Sequence, residues 1–249
     1  MRRYWVPKEM IKGDLVHIEG DVFHHIFSVC RQEKGSKFEV LGDQNKAHFV
    51  EVIESNKKNA LCKIKETRII PDLKKPHIHL CLSVAKFPTM DAVIEKAVEM
   101  GVHSVRPFFS DYSFIKSDLP ESRLERWRKI ILSATQQSGR GDLLTLCPAV
   151  SLEQLFQQKS NSESNLGFFA FEGKSDVDIR TYLADAQKNQ KPEEIWLFVG
   201  GEGGFSQTEV QTFSQNHLKS VSLGEQVLRV ETACITLISV LKYEFELMK

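Results

Sequence analysis

Val199-Gly200-Gly201-Glu202-Gly203-Gly204-Phe205-Ser206 is the stretch on which the reading of the fold turns. Just before it, Ile195-Trp196-Leu197-Phe198-Val199 is apolar throughout, as a strand buried on both faces would be. Just after it, Ser206-Gln207-Thr208-Glu209 has the capping-box spacing, so a helix is predicted to start there. Four glycines in five positions let the backbone approach a ligand closely and adopt conformations closed to other residues. The loop would lie at the carboxyl end of a parallel strand, where open α/β sheets bind ligands. No Gly-Lys-Ser/Thr follows, so it is not a phosphate-binding loop. Counted from Gly201 the sixth position is Ser206, which breaks the dinucleotide fingerprint. On spacing alone, a tight glycine turn without a ligand is the competing reading.

Strands and helices alternate around this stretch from residue 77 onward. Ile78 to Ala85, Val102 to Phe108, Leu166 to Phe171 and Ser220 to Leu223 read as strands. Thr89 to Met100, Glu121 to Gln137, Leu152 to Gln158, Val177 to Lys188 and Val230 to Leu247 read as helices, with Gly101 closing the first. Such alternation means a parallel sheet with helices on both faces. Ser160 to Asn165 reads as a polar loop.

The first 70 residues have another texture. Leu15 to Ile18, Lys37 to Leu41, Ala47 to Ile53 and Ala60 to Ile64 are short strand-like runs. Gly13-Asp14, Gly35-Ser36, Gly42-Asp43 and Asn56 to Asn59 punctuate them, which suggests a small barrel. Residues 22–32 break the pattern and are predicted as a helix carrying His24, His25 and Arg31. Pro71 to Pro76 reads as a linker, so the expected division is residues 1–72 and residues 73–249.

Apolar residues make up 41% and charged residues 27%, the balance of a globular protein rather than a collagen or a disordered tail. No apolar run approaches the ~20 residues that cross a bilayer. Met1-Arg2-Arg3-Tyr4-Trp5 leads into no long apolar region, which argues against a secretory signal. Five widely spread cysteines, an odd number, suit reduced thiols in a cytoplasm. Lys plus Arg and Asp plus Glu each number 33. Residues 1–75 hold 15 and 11, a net of +4, and residues 76–249 hold 18 and 22, a net of −4. The basic front end permits binding to a polyanion, although such a surplus is common on solvated surfaces.

Two further stretches carry possible chemistry. Leu223-Gly224-Glu225-Gln226-Val227-Leu228-Arg229-Val230-Glu231-Thr232-Ala233 sits at a strand-to-helix junction, with Arg229 and Glu231 flanking the helix start. An Arg there can orient a planar or anionic group, while a Glu in a first helical turn is also favoured by the helix dipole. Ser133 to Gly141 ends an amphipathic helix with Gln136, Gln137 and Arg140, which could meet a nucleic acid. Arg123, Arg126, Arg128 and Lys129 on that helix read as a solvated face. No metal is expected, since there is no Cys-x-x-Cys pair and His77 and His79 have no further ligands nearby. No Gly-x-Ser-x-Gly elbow is present.

Taken in order, Glu95 to Val102, Ala134 to Arg140, Val199 to Phe205 and Leu223 to Ala233 resemble the RsmE-type ribosomal RNA methyltransferases of the SPOUT superfamily. His24-His25 followed by Val29-Cys30-Arg31 resembles the amino-terminal segment of that family, and the resemblance spans nearly the whole chain. It implies an α/β fold: a trefoil-knotted parallel sheet with helices on both faces, plus a small amino-terminal PUA-like β-barrel for RNA binding. It also implies a homodimer acting on small-subunit ribosomal RNA in an assembled or assembling 30S subunit. The implied reaction is S-adenosylmethionine-dependent methylation of N3 of a uridine.

The resemblance and the chemistry together assign roles. Phe198, Val199, Gly200, Gly201, Glu202, Gly203, Gly204, Leu223, Gly224, Val227, Leu228 and Thr232 are the expected S-adenosylmethionine contacts. Arg229 would stabilise charge on the base and Glu231 would orient it or accept the proton. Arg2, Arg3, His24, His25, Arg31 and Arg140 are the expected RNA contacts, and Tyr4 and Trp5 would either stack on RNA or anchor the barrel. The chain departs from the family at Gly201, usually Pro, in the Ser110 to Ser113 stretch, where an Arg is usual and Tyr112 takes that neighbourhood, at Gln136, usually Glu, and at Cys30, usually Leu. The rivals are a SPOUT ribose 2′-O-methyltransferase and a non-catalytic RNA-binding protein of ribosome assembly.

Overall fold

The structure, a computed structural model, describes residues 2–42, 45–159, 165–188 and 191–248. It separates into two compact units. One runs up to Asp72 and includes Leu132–Leu143; the other holds Leu73–Ile131 and everything from Leu144 onward.

The first unit has six strands, β1 (Arg3–Trp5), β2 (Ile11–Lys12), β3 (Leu15–Glu19), β4 (Lys37–Gly42), β5 (Lys46–Ser55) and β6 (Asn59–Ile69). They form one sheet in the order β1-β4-β5-β6-β3-β2, a half-barrel with β1 and β2 at its two edges. β1 pairs parallel with β4, and the other pairings are antiparallel. Register shifts at Phe49/Val50 and Val52/Glu54 are the kind of irregularity that bends a sheet. Alternate residues such as Val16, Ile18, Val50 and Val52 fill the interior. Tyr4 is 3% exposed and meets Phe38 edge to face at 5.1 Å, and Trp5 packs on Leu41, Ala47 and Ile70. Both aromatic residues therefore anchor the sheet.

The helix expected over residues 22–32 is shorter and wider. α1 (Gly20–Phe23) passes into a π-helical turn over His24–Val29, where the Cys30 N–H reaches the His25 carbonyl at 2.9 Å. Arg31 lies beyond it with φ +55°, a left-handed conformation that cannot continue a helix.

The second unit is an eight-stranded sheet: β7 (His77–Ser83), β8 (Ser104–Phe109), β9 (Thr145–Leu146), β10 (Val150–Ser151), β11 (Asn165–Ala170), β12 (Val177–Asp178), β13 (Glu194–Val199) and β14 (Lys219–Ser222). All its pairings are parallel, in the order β10-β8-β7-β13-β11-β14-β12, with β9 beside β8. β13 is central and its residues from Ile195 to Val199 are all buried, which explains the unbroken apolar run. The helices are α2 (Phe87–Glu99), α3 (Glu121–Ser138), α4 (Leu152–Gln158), α5 (Ile179–Lys188), α6 (Gln207–Gln215) and α7 (Val230–Glu244). Residues 177 and 178, read as helix, form β12 because they pair with Val221 and Ser222. α6 carries the predicted capping box, and Ser151 with Gln154 forms a second one at α4.

After β14 the chain turns through residues 223–229 and α7 packs on α2 and β13, back at the middle of the sheet. Phe169 and Phe213 stack at 4.5 Å beneath the glycine loop, with Phe198, Phe205 and Phe108 around them. A fully buried ring of this kind contributes about 1.5–3 kcal/mol relative to exposure. The Gly42-Asp43 turn and the Ser160 to Asn165 loop fall partly outside the described residues.

Candidate active site

The carboxyl ends of β11, β13 and β14 open into one cleft, partly open to solvent. Val199, Gly200, Gly201, Gly204 and Phe205 form one wall, and the segment from Leu223 to Leu228 forms the other. Ala170, Phe171 and Glu172 at the end of β11 line it too, as do Val221 of β14 and Val230 and Ala233 of α7. Apolar side chains dominate, with Glu172, Glu225 and Gln226 as polar groups, a composition suited to a small-molecule site.

Two glycines are required by geometry. A Cβ on Gly200 would stand 3.0 Å from the Gly204 backbone, tighter than nine in ten real Cβ contacts and against backbone that cannot easily give way. Gly204 itself has φ +66°, and its N–H closes a turn onto the Gly201 carbonyl at 3.0 Å.

Polar ties hold this loop from outside. The Glu202 carboxylate accepts the Lys86 N–H at 3.1 Å and the Thr89 hydroxyl at 3.1 Å, capping α2 from a distant part of the chain. Glu209, 6% exposed, accepts the Ser206 N–H at 2.8 Å and the Asp111 N–H at 3.0 Å. Below, the buried hydroxyls of Ser83, Ser110 and Ser113 bond to one another, Ser83 to Ser110 at 2.5 Å.

Eight of the expected cofactor residues share the cleft: Val199, Gly200, Gly201, Gly204, Leu223, Gly224, Val227 and Leu228. Four do not line it. Phe198 is wholly buried in the aromatic core, Glu202 caps α2, Gly203 backs onto Tyr112, and Thr232 is exposed on α7. Ala170, Phe171, Glu172, Phe205, Val221, Glu225, Gln226, Val230 and Ala233 line it without having been anticipated. Glu225 and Gln226 lay inside the quoted motif, whereas the end of β11 carried no sequence signal.

Arg229 is the N-cap residue of α7 and its side chain is exposed beside the cleft wall. Glu231 stands in the first turn of α7, and no ion pair joins it to Arg229 among the described residues. The expectation that Glu231 orients Arg229 therefore has no contact behind it. Burial pushes the Cys62 thiol up to about 12 and raises Cys81 and Cys234 as well, so these thiols stay protonated. Among the described residues no group of three or more His, Cys, Asp or Glu is placed to hold a metal ion.

The expected RNA contacts divide in the first unit. His24, His25 and Arg31 are exposed, and Arg2 is exposed while donating to the Cys30 carbonyl at 2.8 Å. Arg3 is tied to the buried Glu39 at 2.9 Å and to the Gln137 carbonyl at 3.1 Å. Arg140 is 8% exposed and grips Asp142 through two hydrogen bonds of 2.8 and 2.9 Å. Arg3 thus ties β1 to β4 and to the end of α3, Arg140 is engaged by its near neighbour Asp142, and neither charge is displayed as the sequence suggested.

The last helix thus returns to the centre of a parallel sheet, a glycine-rich loop walls a cleft at the strand ends, and a β half-barrel forms a unit of its own. The family model described as RNA methyltransferase domain matches residues 72–242, and that described as RNA methyltransferase PUA domain matches residues 18–65. The chain is 32% identical to ribosomal RNA small subunit methyltransferase E of Aquifex aeolicus over 92% of its length and 95% of that protein. Its counterpart in Bacillus subtilis is 24% identical, covering 100% of this chain and 99% of that one. A methyltransferase from Legionella pneumophila, solved with bound SAM, superposes with a TM-score of 0.84 at 28% identity, covering 97% of this chain and 96% of that one. The chain belongs to the family of RsmE-type ribosomal RNA small subunit methyltransferases, with the trefoil-knotted SPOUT sheet and PUA-like half-barrel of that family.

Proposed function

We propose that this chain transfers a methyl group from S-adenosylmethionine to N3 of a uridine in small-subunit (16S) ribosomal RNA. The observation that carries the reading is the cleft between the glycine loop and residues 223–228, with Arg229 at the start of α7 beside it. The cleft suits the cofactor chemically. Phe171, Val221, Leu223, Val227 and Leu228 offer an apolar wall for an adenine, and Glu172 and Glu225 are acceptors for hydroxyls and an ammonium. When bound, S-adenosylmethionine supplies an electrophilic methyl carbon on a sulfonium. The close approach of the Gly200 and Gly204 backbones gives the cleft a rigid wall, so positioning carries much of the rate.

Loss of the N3 proton leaves negative charge on the base. The exposed guanidinium of Arg229, at the start of α7, would stabilise it. Glu231, in the first turn of α7, is the candidate proton acceptor. His24, His25, Arg31 and Arg2, each exposed on the half-barrel unit, would contact ribosomal RNA in the 30S subunit. We assign the chain to the cytoplasm and to a homodimer on the same reading; no helix among the described residues is long and apolar enough to cross a membrane.

The test is transfer of labelled methyl from S-adenosylmethionine to small ribosomal subunits lacking the modification, followed by nucleoside analysis. The expected product is 3-methyluridine. A ribose 2′-O-methyl product assigns a different reaction, and cofactor binding without transfer leaves an RNA-binding assembly protein.

A further inference from the structure

The segment from Ser110 to Phe114 is held firmly yet displays aromatic rings to water. Its anchors are the buried Ser83, Ser110 and Ser113 hydroxyls, the Asp111 N–H on Glu209, and the Phe114 N–H on the Val84 carbonyl at 2.8 Å. Against that rigid base Tyr112 is 54% exposed and Phe114 is 53% exposed. Phe114 meets Phe87 edge to face at 5.6 Å, and the Arg123 guanidinium lies 4.2 Å from the centre of the Phe87 ring.

We propose that Tyr112 and Phe114, supported by Phe87 and Arg123, form a stacking subsite for an unpaired base of the RNA substrate beside the target nucleotide. The proposal rests on the methyltransferase reading above. Location supports it: a Cβ on Gly203 would stand 2.7 Å from the Tyr112 Cβ, so the ring springs from the outer side of the loop that walls the cleft. Charge around it is mixed: Lys86, Lys116 and Arg123 stand among Asp111, Glu202, Glu209 and Asp118, and the Lys116 ammonium donates to the Ser110 carbonyl at 3.5 Å, so the rings rather than a cationic surface carry the subsite. The fixed backbone, and for Phe114 the contact with Phe87, restrict where the rings can go before binding, which lowers the entropy that stacking costs. Every base offers a π-face, and a flipped target leaves its neighbours unstacked and in need of a partner.

The experiment measures KM and kcat on modification-deficient small subunits, with cofactor affinity by calorimetry, for the unsubstituted chain and three double variants. In Tyr112→Ala/Phe114→Ala, KM for the subunit is expected to rise at least fivefold, with cofactor affinity and thermal midpoint unchanged. Tyr112→Trp/Phe114→Trp should retain the original KM, and Tyr112→Leu/Phe114→Leu should not. Leu variants as good as the original, or an unchanged KM in the Ala variant, overturn the subsite. An unchanged KM with altered self-association assigns the rings to a protein interface and overturns it as well. Absence of transfer by the unsubstituted chain overturns the methyltransferase reading and the subsite with it.

Discussion

The carboxylate of Glu202 accepts the backbone N–H of Lys86 at 3.1 Å, linking residues 116 apart in the sequence. Glu202 thereby caps α2 while its own backbone belongs to the glycine loop, so one side chain fixes that loop against the helix that α7 packs on. Its part is positional, since it does not line the cleft.

Glu202→Ala should weaken S-adenosylmethionine binding about tenfold and lower stability by about 1 kcal/mol, the worth of a helix cap. Glu202→Gln keeps an acceptor oxygen and should recover most of both. Calorimetric titration and thermal melts read the two effects separately. An Ala variant with unaltered affinity would show that the loop holds its shape unaided.

Arg229→Ala should lower kcat by about a hundredfold or more with little change in cofactor affinity, because its charge is needed as the base becomes anionic. The guanidinium is exposed, so the fold should be unaffected. Single-turnover methyl transfer at saturating cofactor is the measurement, and an undiminished rate would remove Arg229 from the chemistry.

Glu39 should make the half-barrel acid-sensitive. Arg68 grips its carboxylate at 2.7 and 3.0 Å and Arg3 adds a bond of 2.9 Å. Chiefly through Arg68, these bonds hold the Glu39 carboxyl below the usual range, against burial that raises it. A depressed folded value contributes stability that is complete above the unfolded value of about 4.3 and is lost as pH falls through the folded one. Glu39→Gln should cost about 2 kcal/mol at neutral pH, a charge-assisted bond trimmed for the solvent around Arg68. The gap between variant and parent should close in denaturant titrations below about pH 4.3.

His79 sets a second and higher window. It is 4% exposed, its Nδ1 is 2.7 Å from the Ser104 hydroxyl, and burial, then the Arg106 charge, holds its imidazole down to about 4. Stability from keeping it neutral is complete above about pH 6.5 and declines as pH falls toward 4. The thermal midpoint of the parent should drop across that range, and His79→Gln should flatten the drop. Equal slopes in parent and variant would mean that other groups carry it.

The elements that hold the cleft were legible where local pattern and tertiary role coincide. Ile195 to Val199 had to be a two-sided buried strand, and Ser206 with Glu209 had to open a helix, because each pattern has few structural solutions. Short edges such as β1, β2 and β12 carried no pattern, since two or three residues become a strand only by pairing with a partner.

Sequence by itself determined the two textures of the chain, the order of its principal strands and helices, the glycine loop and its family, because these depend on residue type and spacing. The tertiary structure alone decided which charges are free. Arg3 looked like an RNA contact until folding brought Glu39 against it, and Glu202 looked like a cofactor ligand until Lys86 arrived beside it. It also decided that the end of β11 and the start of α7 share one cleft, because the loop from β14 carries the chain back to the middle of the sheet. A charged side chain keeps whichever partner lies within hydrogen-bond reach, and that distance is set by chain crossings that residue spacing does not encode.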